Sequence, residues 1–338
     1  MKTKRLLLSV VALCCTMVAW AQNNQSLTAI LQHVVDGNET VKVYVGKEAF
    51  KNAYTDAVNG DVITLSSGSF NVPSAFQKEL SVYGAGYEED DASGTAVTTL
   101  NSHIYIQDIE SLSNLHFEGL RINGNIQCTV PVSKMVISKC YCNYVYLHGD
   151  GVQYTDITIQ QCVIYGGVGG YNFSSGYTTK AKNLRVKNCI VNGVSTFDSE
   201  SIVNIDHCLI LSQTNNTNAI VYPFKYTNCV FGNNKYGVYV AGTLQYCIIP
   251  WGGSDLDSNL IKPSKAFSDS EDGWATSYSA DRTYTLLLPE EWIGSDGTQI
   301  GIHGGDGFSK VPSTPVIKNM TVTPVGKKIQ VNYETNVR

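Results

Sequence analysis

The chain is predicted to be all-β: a single-stranded right-handed parallel β-helix of about ten coils, with N-terminal capping helices and a short C-terminal hairpin. Two observations carry this prediction. First, a short phrase recurs along the middle of the chain, in its cleanest form Leu184-Arg185-Val186-Lys187-Asn188-Cys189-Ile190-Val191. It returns over Ile157 to Ile164 and over Phe224 to Phe231, with weaker copies ending at Cys140, Cys208 and Cys247 and with Leu120 in the cysteine's place. Successive copies are 20, 22, 27, 19, 21 and 18 residues apart, a period that marks a solenoid. Second, polarity alternates within each copy. Counted from the cysteine, positions −5, −3, 0 and +2 are mostly apolar. Positions −4 and −2 are mostly polar: Thr158 and Gln160, Arg185 and Lys187, Asn204 and Asp206, Thr243 and Gln245. A period of two turns the apolar set inward and the polar set outward.

The elements follow in order. Residues 1–21 form a secretory leader: Lys2, Lys4 and Arg5, an apolar stretch from Leu6 to Val18, and Ala19-Trp20-Ala21 as a small-x-small cleavage site. Residues 22–60 are expected to cap the solenoid. Ser26 as a cap, Leu27, Ile30, Leu31, Val34 and Val35 at helical spacing, and Gly37 as a stop predict a helix over 26–36. Val41 to Val45 predicts a strand, and Phe50, Ala53, Tyr54, Ala57 and Val58 lie on one side of a second amphipathic segment ended by Gly60. Strands are predicted over Asp61 to Leu65 and Leu80 to Gly84.

The β-helix is assigned to residues 61–311. Between its inward pairs lies a two-residue polar bend, with Asn188 and Asn228 in the second position; Asn tolerates left-handed backbone, so a sharp corner belongs there. A further strand is expected in the stretches between copies, at Tyr144 to Leu147, Ala219 to Tyr222 and Gly237 to Val240. Residues 312–338 follow Pro312 and Pro315 and predict a hairpin, Val316 to Val322 with Lys328 to Tyr333 around Gly326. That is too short for a separate β-sandwich of about 100 residues.

With these features in place, the sequence resembles the bacterial secreted right-handed parallel β-helix proteins of the pectate-lyase-like superfamily. Asp56-Ala57-Val58-Asn59-Gly60-Asp61-Val62-Ile63-Thr64-Leu65 is similar to that group's first-coil motif. Asp296-Gly297-Thr298-Gln299-Ile300-Gly301-Ile302-His303-Gly304-Gly305 is similar to the last-coil motif of many uncharacterised members. The resemblance spans roughly residues 40–310. It implies architecture far more than activity. Families on this fold work mostly on acidic polysaccharides, lyases with a Lys or Arg base and Ca²⁺ or basic residues, hydrolases with paired or triple Asp.

Charge narrows the partners. The formal net charge is −5, and loss of the three leader cations takes it to −8. An acidic chain excludes nucleic acid as a general partner, and any attraction for an anionic sugar has to be local. No segment after the leader reaches the roughly 20 apolar residues of a membrane helix, so an exported monomer without a membrane span is expected. Eight cysteines follow the leader. Cys140, Cys162, Cys189, Cys208, Cys229 and Cys247 share one repeat position and are expected to stack inward as a ladder of reduced thiols. Coils ~4.8 Å apart leave a disulfide open as the alternative, with Cys128, Cys140 and Cys142 its readiest participants. No Cys or His spacing points to a metal.

The strongest enzyme-like cluster is Lys187, Arg185, Asp206 and Lys225, with His207, at matching positions of successive coils. In a lyase Lys187 would be the base, with Arg185 or Lys225 holding a uronate carboxylate; otherwise these residues are a solvated sheet face. The repeats supply no neighbouring carboxylate pair of the kind a glycosidase needs. Gly149-Asp150-Gly151 and Gly305-Asp306-Gly307 are single-Asp turns. Tyr144, Tyr146 and Tyr165, with Tyr141, Tyr171 and Tyr177, offer rings on which sugars stack. Ca²⁺ would sit at Glu88-Glu89-Asp90-Asp91 or at Asp255 and Asp257 with Asn259, but no spacing matches a defined loop, and no cofactor is expected. His303 reads as structural. The functional expectation is non-catalytic contact with a polysaccharide along one long face. The alternatives are a lyase acting on a uronate polymer and an adhesin-like or structural surface protein.

Overall fold

The computed structural model describes residues 27–35, 38–90, 93–149, 151–169, 179–195, 197–212, 224–232, 242–250, 259–313, 316–325 and 328–336. Alternating residues build a parallel β-solenoid of about seven turns, fewer than the ten expected. One wall, sheet 1, stacks β3 (Val62–Leu65) with Ser81–Tyr83, His116–Glu118, Val136–Ser138, Gln153–Gln160, Lys180–Lys187, Val203–Asp206, Phe224–Thr227 and Thr243–Gln245. Sheet 2 forms the opposing wall, from Gly68–Phe70 through Tyr141–Leu147 and Val163–Gly169 to Val230–Phe231. Inward side chains fill one continuous core.

The thiol ladder lies in that core. Cys140, Cys162, Cys189, Cys208, Cys229 and Cys247 are fully buried and free, as are Cys128 and Cys142. Along the ladder the backbone N–H of Cys140 donates to Cys162 Sγ at 3.4 Å, that of Cys162 to Cys189 Sγ at 3.4 Å and that of Cys189 to Cys208 Sγ at 3.5 Å. Before each thiol the chain turns a left-handed corner: φ is 53° at Gln161, 47° at Asn188, 49° at His207 and 56° at Asn228. Such backbone costs ~1–2 kcal/mol for an L-residue, so the corners need compensation from their surroundings.

That compensation comes from a segment expected to be coils. The parallel rungs end at Thr243–Gln245 with bridges at Ile248 and Ile261, well short of residue 311. The chain after them wraps the outside of the solenoid. The closing motif adds no coil. It runs as a strap across the corner ladder, where Asn188 Nδ2 donates to the carbonyls of Ile302 at 3.0 Å and Gly304 at 2.7 Å. Gln161 Nε2 reaches Gly307 O at 2.6 Å, and Asn228 Oδ1 accepts the Ser295 amide at 2.8 Å. The residue after each cysteine explains the strap's path. Val163, Ile190, Leu209, Val230 and Ile248 point outward, are apolar, and form a second core with Phe267, Leu286, Trp292, Ile300 and Ile302.

The N-terminal cap differs from expectation. Residues predicted as a helix over 26–36 form strand β1 (Thr28–Val35), antiparallel both to β2 (Asn38–Val45) and to β3. β-Branched Thr28, Ile30, Val34 and Val35 favour extended backbone, and docking on β3 satisfies the ladder of the first rung, an edge that would otherwise template aggregation. The second segment is helical as expected, α1 (Ala49–Asp56), burying Ala49, Phe50 and Ala53. The expected hairpin exists as Val316–Val325 paired with Lys328–Asn336. The strands expected at 219–222 and 237–240 lie outside the described residues.

Candidate functional site

Register places the site. On the outer face of sheet 1, Arg185 sits beside Asn204 and Asn204 beside Lys225; in the adjoining row Lys187 pairs with Asp206 and Asp206 with Thr227. All six, with Asn228, Ser295 and Asp296, line a cleft of about 390 Å³. The four candidate residues Lys187, Arg185, Asp206 and Lys225 therefore meet as the repeat implied. His207 does not join them on the wall. It is 1% exposed, because it occupies the corner beneath the strap.

The charges are unequally engaged. Lys187 Nζ lies 3.3 Å from Asp306 Oδ2, the tip of the Gly305-Asp306-Gly307 turn. Arg185 Nε donates to Asn183 Oδ1 at 3.0 Å and makes no ion pair with a described residue. Lys225 likewise has no ion-pair partner among the described residues. Asp206 Oδ1 accepts Asn228 Nδ2 at 3.1 Å and lies 3.2 Å from His207 Nδ1. From the strap, Asp296 Oδ2 approaches His207 Nε2 at 3.5 Å, while its Oδ1 accepts the Thr298 amide at 3.0 Å and hydroxyl at 2.9 Å. Partial burial pushes the Asp296 carboxyl up, but Thr298 and His207 outweigh it and hold the group below its ordinary value.

Sequence reasoning missed Asp296 and Ser295. The second carboxylate of the cleft arrives from the strap, which faces Asp206 across His207. The available signal was the apolar residue after each cysteine, which demands an outer cover.

The tyrosines sit on another wall. Tyr144 and Tyr146 point outward from sheet 2, their rings stacked 4.7 Å apart and 10° from parallel. Gly166 lies beneath Tyr144, where any Cβ would strike the ring. Tyr165 is 56% exposed. The structure brings none of them to the cationic cleft. Tyr141 instead carries the Arg121 guanidinium 4.8 Å from its ring centre. Tyr171 and Tyr177 lie outside the described residues.

The same outer wall of sheet 1 bears a second network near its N-terminal end. Tyr83 Oη lies 3.2 Å from His116 Nδ1, and His116 Nε2 lies 3.3 Å from Glu118 Oε2. The buried Glu118 accepts the amide and hydroxyl of Ser313, each at 2.6 Å. Burial pushes this carboxyl up, yet His116, Ser313 and Lys139 together hold it down at about 2. Its evident work is to fasten the end of the covering segment.

One metal candidate changes character. Glu88 is taken by Lys310 at 2.6 Å and by the Tyr278 hydroxyl, so it cannot serve a calcium loop without breaking them. Asp91, Asp255 and Asp257 lie outside the described residues, as does Asp150. Among the described residues no group of three His, Cys, Asp or Glu is placed to hold a metal ion, and no helix is long and apolar enough to cross a membrane. His303 Nε2 contacts the Thr283 carbonyl at 2.6 Å.

The rungs, corners and strap define the class: a parallel β-solenoid with a covered corner and a polar outer wall. The chain matches no family model, no curated protein and no solved structure.

Proposed function

We propose that this is an exported glycan-binding protein of the pectate-lyase-like kind, holding a carbohydrate chain along the outer wall of sheet 1 without cleaving it. The observation that carries this reading is the convergence of Arg185, Lys225, Asn204, Thr227 and Ser295 in one open cleft. Planar cations, amides and hydroxyls are the groups that match sugar hydroxyls and acidic substituents. Coils repeat every ~4.8 Å, so a polymer laid along the axis meets a fresh outward pair at each step.

The engagement of the charges favours binding over chemistry. A general base must reach the proton it abstracts, whereas Lys187 Nζ is paired with Asp306 Oδ2 at 3.3 Å. A glycosidase acid needs a raised pKa, whereas Asp296 is held ionised. A lyase is the second reading, supported by the gathering of Lys187, Arg185, Asp206 and Lys225 in the same cleft.

A glycan array with a parallel lyase screen tests both. The expected result is retention of wild-type protein on a charged glycan, at least tenfold weaker for Lys225→Ala and unchanged for Tyr144→Ala. Rising ultraviolet absorbance with a uronate polymer, abolished by Lys187→Ala, would replace this reading with the lyase. Retention on no glycan, with no rise in absorbance, would overturn both.

A further inference from the structure

We infer that the cleft is built for a glycan carrying amino and carboxylate groups together, rather than for a polyanion. The inference rests on the glycan reading and names the chemistry of its ligand.

Two stripes of opposite charge lie side by side. Arg185 and Lys225 share one outward row with Asn204 between them. Asp206 occupies the adjoining row between Lys187 and Thr227, and Asp296 borders it from the strap. Rows two residues apart on a strand are separated by about 7 Å. The third cation does not tip the balance, because Lys187 is already matched by Asp306.

The negative stripe is fixed in place. The contacts given above, Asn228 and His207 on Asp206 and Thr298 and His207 on Asp296, anchor both carboxylates. They engage only Oδ1 of Asp206, and both side chains remain about a third exposed, at 34% and 39%. Neither positive residue of the other stripe neutralises them, as Arg185 and Lys225 make no ion pair with a described residue. A polyanion drawn to that stripe would press its charges against Asp206 and Asp296, and like charges set together weaken association. The net charge of −5 adds repulsion at a distance. A polycation meets the mirror-image penalty at Arg185 and Lys225. A chain bearing both signs meets neither.

The test compares four oligosaccharide probes by calorimetry at pH 6 and low salt: carboxymethyl-chitosan, polygalacturonate, chitosan and dextran. The doubly charged probe is expected to bind at least tenfold more tightly than any other. The isosteric pair Asp206→Asn and Asp296→Asn should erase that preference and raise polygalacturonate affinity severalfold. Should the pair fail to fold, by circular dichroism, Lys225→Gln serves instead and should weaken the carboxymethyl probe while leaving chitosan no weaker. Wild-type binding of polygalacturonate as tight as that of the doubly charged probe would overturn the inference and leave glycan binding standing. Retention of none of the four probes, and of no glycan on the array, would sink both.

Discussion

The side-chain amide of Asn188 donates at 2.7 Å to the carbonyl oxygen of Gly304, 116 residues further along the chain. The contact joins a solenoid corner to the strap that covers it. Asn188 is 2% exposed, so both carbonyls it serves would lose their partner in a place water cannot easily reach. Asn188→Ala is expected to cost about 1–3 kcal/mol, plus strain at its positive φ. Urea unfolding of Asn188→Ala beside Asn188→Gly separates the two terms, since glycine removes the strain and not the lost bonds. Wild-type stability in both variants would refute the role given to the strap.

Gly304 faces the same junction from the other side. A Cβ there would overlap the Gln299 carbonyl and the His207 ring. Gly304→Ala should therefore loosen the strap and lower the melting temperature by several degrees. At Gly151 a Cβ meets nothing within 4 Å and only the φ of +68° resists it, so Gly151→Ala should cost about 1 kcal/mol. Equal effects at the two sites would show that the close approach is not what requires glycine at 304.

The thiols should be silent in the folded protein. All eight are fully buried, so a reagent in solution cannot reach them. Native protein is expected to leave the eight solenoid thiols unmodified by an aromatic disulfide reagent at pH 8, and unfolding in urea should release all of them together. Rapid modification of any of the eight in native protein would contradict the inward ladder.

Acid should act through Glu118. Its carboxyl, held at about 2, stands below the ordinary 4.5. A depressed folded value stabilises at neutral pH and loses that contribution as pH falls from about 4.5 toward 2. The contribution is about 3 kcal/mol. Glu118→Gln should be destabilised by that order at pH 7 and show a flatter stability profile between pH 5 and 3, followed by thermal melts. An unchanged slope would remove Glu118 from the account of acid sensitivity.

Much of the architecture was legible because its rules are local. The alternation around Cys162, Cys189 and Cys229 requires only a strand with one wet face, and the bend at Asn188 and Asn228 requires only a residue tolerant of left-handed backbone. The gathering of Arg185, Lys187, Asp206 and Lys225 followed, since equal repeat positions become neighbours once coils stack. Residues 28–35 carry apolar side chains at helical spacing, but β-branched Thr28, Ile30, Val34 and Val35 suit a strand equally; the exposed edge of β3 chose between them. The outward apolar residues Val163, Ile190 and Leu209 were visible but were not recognised as asking for a cover.

By itself the sequence determined the solenoid, the inward thiols and the cationic half of the cleft, all consequences of a period of two repeated about every 20 residues. Only the tertiary structure decided that residues 288–308 fold back over the corners, that His207 is buried there, and that Asp296 faces Asp206. The hydrogen bonds that hold them join positions 67 or more residues apart, where no periodicity links the partners and only the packing of two apolar surfaces selects the pairing.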